Sequence, residues 1–119
     1  MADISGLKEI EGFVGGCLVD SESGLLMGKE GGDKFDLDTA AAGNTEVVRA
    51  KRKTMSALGI SGNIEDILIT LDDQYHLIRL LNSNDAIFLY VVLDKAKGNL
   101  GMARMITKNV EKSLDLSSL

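Results

Sequence analysis

His76 is the sole histidine of this chain and Cys17 its sole thiol, which narrows the side-chain chemistry at once. A nucleophile with its base, or a zinc site, needs His, Cys and carboxylates gathered together, and the sequence holds no His/Cys cluster. His76 sits in a run, Tyr75–Arg79, that alternates as a strand does, and reads as a packed or half-exposed strand histidine. Cys17, between Gly16 and Leu18, reads as a small core residue. Asp33, Asp36 and Asp38 come nearest to a metal loop, but their spacing lacks the glycine and distal glutamate of a calcium loop. They precede a helical pattern, where negative charge complements the helix dipole and Asp36 can cap the first turn. Gly24-Leu25-Leu26-Met27-Gly28-Lys29-Glu30 has the outline of a phosphate loop, yet it is one residue short between its glycines. Glu30 also stands where a Ser or Thr should reach magnesium. Asp72 and Asp73 are turn formers. No catalytic, cofactor or metal site is expected.

Arg49, Lys51, Arg52 and Lys53 form the one basic cluster. On a helix they spread around the circumference, and Glu46 lies one turn from Arg49, so a solvated face accounts for them. A docking surface for an acidic partner or anionic lipid headgroups is the functional alternative. Nucleic acid is disfavoured: 13 basic residues face 18 acidic ones for a net charge of −5, and only five aromatics are present.

The elements that must position these residues follow from period and punctuation. At 119 residues the chain reads as a single domain, and a lone cysteine and the absence of an apolar leader fit a cytoplasmic protein. The longest apolar run, Ala86–Leu93, is far too short to span a membrane. Ile4, Leu7 and Ile10 at three-residue spacing predict a short helix. Val14–Asp20 and Leu25–Lys29 around Ser21–Gly24 predict a hairpin. From Leu37 to Leu58 the residues Leu37, Ala40, Ala41, Asn44, Val47, Val48, Lys51, Met55 and Leu58 share one side of a long helix. An adjoining strip holds Gly43, Ala50 and Ala57, small residues seven apart that allow another helix to come close. Ile64–Leu71, Tyr75–Leu81 and Ala86–Leu93 read as strands, the last central because it is apolar throughout. Leu100, Ala103, Ile106, Val110 and Leu114 mark a final helix capped by Asn99. The order α-β-β-α-β-β-β-α predicts an α+β domain, a three-layer α/β/α arrangement around a five-stranded, mainly antiparallel sheet.

This order, with Leu18-Val19-Asp20-Ser21-Glu22-Ser23-Gly24-Leu25 in the first hairpin, Tyr75-His76-Leu77-Ile78-Arg79 in the fourth strand and Asn99-Leu100-Gly101-Met102-Ala103-Arg104 opening the last helix, resembles the roadblock family of dynein light-chain-type domains. The resemblance covers nearly the whole chain, and the last motif is more similar to the bacterial and archaeal branch, whose members partner Ras-like small GTPases. It implies a homodimer, or a heterodimer with a sister roadblock subunit, with sheets joined edge to edge and long helices antiparallel. It implies a scaffold or GTPase regulator rather than an enzyme.

The residues argue for a dimer on their own account. Ile67, Leu68 and Ile69 would lie on an edge strand in that family's order, a hazard if unpaired. The expected interface comprises Gly43, Val47, Ala50, Thr54, Ala57, Ile67, Leu68 and Ile69, with Arg49, Lys51, Arg52 and Lys53 as candidates for partner binding. No loop presents an obvious arginine finger; Arg79 and Arg104 are the candidates for one, and structural pairing is the simpler role for both. A small-molecule sensor or a general protein-interaction scaffold is the alternative function. A sensor would require a polar group facing a pocket, and the sequence offers no cluster for one.

Overall fold

The computed structural model describes residues 2–116. In chain order they form a 3₁₀ helix (Ser5–Glu9), β1 (Phe13–Asp20), β2 (Leu25–Gly31), α1 (Leu37–Ala57), β3 (Asp66–Thr70), β4 (Gln74–Leu80), β5 (Ile87–Asp94) and α2 (Leu100–Ser113). The first element differs from the expected α-helix. Five residues are too few to offset α-helix nucleation. The three-residue spacing of Ile4, Leu7 and Ile10 is itself the 3₁₀ repeat, and all three are buried.

The sheet runs β2-β1-β5-β4-β3, and every pairing is antiparallel. Strand β5 lies at its centre, as its continuous apolarity requires, and its pleat sends alternate residues into two cores. Phe88, Tyr90 and Val92 join Cys17, Val19, Ile78 and Leu80 beneath Leu37, Ala41 and Val48 of α1. Leu89, Val91 and Leu93 join Leu18 and Leu77 beneath Leu7 of the 3₁₀ helix and Ala103 and Val110 of α2. The result is three layers, with α1 on one face and the 3₁₀ helix and α2 on the other.

Local chemistry sets the helix ends. The Asp36 carboxylate accepts the Thr39 N–H at 3.0 Å and the Thr39 hydroxyl at 2.7 Å, and the Asn99 side chain accepts the Met102 N–H at 3.0 Å. Gly59, with φ of 69°, stops α1 in the left-handed conformation. Its N–H donates to the Ser56 carbonyl and that of Ile60 to the Met55 carbonyl, the pair of bonds that closes a Schellman cap.

The rotation of α1 corrects the expected inward stripe. Leu37, Ala41, Thr45 and Val48 are buried, and Arg52 and Met55 are half-buried. Val47 and Lys51 are exposed, and Leu58 is 67% exposed. Thr45 can enter the core because its hydroxyl donates to the Ala41 carbonyl at 2.7 Å, which satisfies it without water. The helix thus turns Thr45 inward with Leu37, Ala41 and Val48 and leaves Val47 out.

Candidate partner-binding face

Turning α1 this way leaves its small residues in solvent. Gly43, Val47, Ala50, Thr54 and Ala57 alternate at four- and three-residue steps along the outer side, and all five are exposed. On a 3.6-residue helix these positions lie roughly opposite the buried stripe. The Thr54 hydroxyl donates back to the Ala50 carbonyl at 3.0 Å, so it presents its methyl group rather than an unmet donor. A side chain added at Gly43 would meet nothing within 4 Å. The seam is open and shallow, as close helix approach requires.

The expected edge residues fall on β3, which pairs with β4 from Asp66↔Arg79 to Thr70↔Tyr75 and forms one end of the sheet. Ile67, Leu68 and Ile69 are each half-buried. Their side chains alternate: Ile67 packs into the core under α1, and Leu68 into the core under α2.

The basic cluster divides into two kinds. The Arg49 guanidinium donates to the carbonyls of Ser21 at 2.9 Å and Glu22 at 2.8 Å and pairs with Glu46 at 3.2 Å. It ties α1 to the β1–β2 turn, which Asp20 organises by accepting the Glu22 N–H and the Ser23 hydroxyl. Arg52 donates to the carbonyl of Asp85 in the β4–β5 turn. Lys51 and Lys53 are exposed.

The chemistry-bearing residues form structural pairs. Burial pushes the Cys17 thiol up to about 12, which keeps it protonated and inert. His76 is part of a polar chain across the α1-facing side of the sheet: Tyr90 Oη lies 2.8 Å from His76 Nδ1, and His76 Nε2 lies 2.9 Å from Gln74 Oε1. Burial holds the His76 imidazole below its ordinary value, favouring the neutral ring, and raises the Tyr90 phenol. A bond from Asn44 of α1 to Tyr90 works the other way. Among the described residues, no group of three or more His, Cys, Asp and Glu could hold a metal ion. No helix among them is long and apolar enough to cross a membrane.

Arg79 is 4% exposed, and its Nε–H donates to Glu111 Oε1 at 2.7 Å. Arg104 clasps both carboxylate oxygens of Asp66 at 3.0 and 3.2 Å, which raises its own pKa. Neither arginine projects from the surface as a finger would. Glu111 does not stand out in the sequence, and Asn44 does so only as a polar residue among those sharing one side of α1. Arg79 gave the one available signal, because a lone charge on the inward side of an apolar strand demands a buried counter-ion.

No family model and no curated protein sequence matches the chain. Solved structures do. MglB of Myxococcus xanthus superposes with a TM-score of 0.73 at 19% identity, over 84% of this chain and 78% of that one. A Roadblock/LC7 domain from Streptomyces avermitilis gives 0.78 at 16% identity, over 91% and 87%. An MglB with a tetrameric arrangement gives 0.74 at 17%, over 91% and 78%. The chain has the roadblock fold.

Proposed function

We propose that this chain is a non-enzymatic interaction module that pairs with a second copy of itself and, as a dimer, binds and regulates a Ras-like small GTPase. The observation that carries the reading is the exposed seam Gly43–Val47–Ala50–Thr54–Ala57, set opposite the buried stripe of α1 in a domain whose β3 edge is also unpaired. Both features gain from one partner that brings a like helix and a like edge. The tetrameric arrangement of a similar MglB supports assembly as part of the design. The small GTPase follows from the resemblance to the bacterial and archaeal roadblock branch.

In the proposed dimer the two α1 helices lie antiparallel about an axis near Ala50, so that Gly43 of one copy meets Ala57 of the other. The module acts on the GTPase by positioning the GTPase's own groups, since Arg79 and Arg104 are both committed to carboxylates. Lys51 and Lys53, exposed beside the seam, are placed to meet acidic residues of that partner. Arg49 and Arg52 hold the helix that carries them.

Two measurements test this reading. Light scattering should return twice the 12.7 kDa chain mass for the wild type and the single-chain mass for Ala50→Glu, which buries an unpaired carboxylate at a cost of several kcal/mol. A variant that stays dimeric would show that the seam faces solvent. The Ras-like GTPases encoded in the same genome should then be assayed in turn for hydrolysis and nucleotide release. Unchanged rates for every one would remove the GTPase from the proposal.

A further inference from the structure

One cleft of the molecule is charged and short of an acceptor. It has a volume of about 480 Å³ and lies between α2, the segment leading into β3, and the end of β4. Three cations, Arg79, Lys108 and Lys112, line it against two carboxylates, Glu65 and Glu111. That is a local excess of one positive charge on a chain whose net charge is −5.

The carboxylates nearby are already engaged. Glu111 accepts the Arg79 Nε–H on one oxygen and the Asn82 N–H on the other, each at 2.7 Å. Asp66, across the β3–β4 ladder from Arg79, gives both oxygens to Arg104. Glu65 points outward, 71% exposed, with Lys108 at 3.8 Å. Arg79 Nη1 is left buried with no hydrogen-bond partner among the described residues. A buried guanidinium N–H without an acceptor has lost its water and gained nothing, and its charge makes that loss larger than for a neutral amide.

We propose that this cleft binds a phosphate group, free or carried on a small metabolite. Arg79, whose side chain lines the cleft from its buried side, supplies the inner charge and guanidinium donors. Lys108 and Lys112, one turn apart on α2, supply charge from the outer side. A guanidinium and two ammonium groups lining one cleft suit a tetrahedral anion with more than one charge. The volume exceeds that of a bare phosphate and falls in the range of small-molecule sites, and Asn63 and Asn82 also line it. The site stands on α2 and β4, away from the α1 seam, and does not depend on the GTPase reading.

The test is a titration of the full, isotope-labelled chain with inorganic phosphate, followed by amide NMR shifts and run against chloride at matched ionic strength. Saturable shifts at Asn82, Lys108 and Lys112 with phosphate alone are expected. A parallel titration with glycerol phosphate identifies the source: tighter binding points to an organic ester, equal or weaker binding to the free ion. Lys108→Gln with Lys112→Gln, both exposed, should weaken phosphate about tenfold while leaving the urea midpoint unchanged. Arg79→Lys, where it folds, should abolish saturation although the charge is kept. Shifts that do not saturate at millimolar phosphate, or that are the same in the lysine double variant, overturn the proposal. So does a crystal grown in phosphate in which the cleft holds only water.

Discussion

The two edges of the sheet are built on opposite plans. Strand β2 is blunted: its register with β1 slips between Leu18 and Val19, leaving Met27 in a bulge, and Lys29 and Glu30 put charge on it. The N-terminal segment also leans on it, with the Ala2 N–H donating to the Met27 carbonyl at 2.9 Å and Glu30 pairing with Lys8 at 3.5 Å. Gly28 permits that approach, since a Cβ there would stand 2.8 Å from the Ala2 carbonyl oxygen. Strand β3 has no bulge, and its one charge, Asp66 at its start, is committed to Arg104. Its five residues pair with β4 in unbroken register, and Ile67, Leu68 and Ile69 occupy its middle. Bulges, charges and covering segments keep an edge from pairing; a regular, apolar edge invites it. In the proposed dimer, β3 is the edge that the second copy covers.

The largest expected effect breaks that contrast directly. Ile69→Lys should weaken self-association more than about a hundredfold, near 3 kcal/mol, whereas Leu25→Lys on β2 should leave it within a few-fold. Sedimentation across a concentration series reads both, and equal effects at the two edges would remove the distinction. Next comes the support behind β3. Glu111→Gln strips the counter-ion from a pair whose side chains are 5% and 10% exposed, and should lower unfolding free energy by about 3 kcal/mol in urea. Gly59→Ala sharpens the comparison from the other side. It strains the left-handed stop that hands the chain from α1 toward β3, at about 1 kcal/mol in the same melts with no change in m-value.

The smallest effect is one of pH. Because burial holds the folded His76 below its ordinary value of 6.5, the neutral ring favours the fold. That contribution is full above the ordinary value and is lost as pH falls through the lowered folded one. Urea midpoints taken from neutral to mildly acid pH should drift down, and His76→Gln should flatten the drift.

Much of the architecture is legible in the residues. Asp36, Asn99 and Gly59 mark helix ends through their own side chains or backbone freedom, and the apolar run of β5 places it at the centre. The seam is legible too, because Gly43, Ala50 and Ala57 recur at a helical interval whatever surrounds them. The basic cluster is not. Arg49 and Arg52 reach carbonyls 28 and 33 residues away, and spacing along α1 carries no information about them.

Sequence by itself therefore determined the elements, their order and the relative angles of residues around each helix, since all of these depend on short-range sterics and local hydrogen bonds. Only the tertiary structure decided which side of α1 faces in. Period fixes where residues stand relative to one another and leaves the rotation free, and that rotation depends on partners elsewhere. Thr45 is buried because it satisfies itself, Arg52 leans inward because Asp85 offers a carbonyl, and Val47 is left outside. The phosphate cleft belongs to the same class. Arg79 and Glu111 lie 32 residues apart, and the geometry that pairs Nε and leaves Nη1 unmet exists only once α2 has packed across β4.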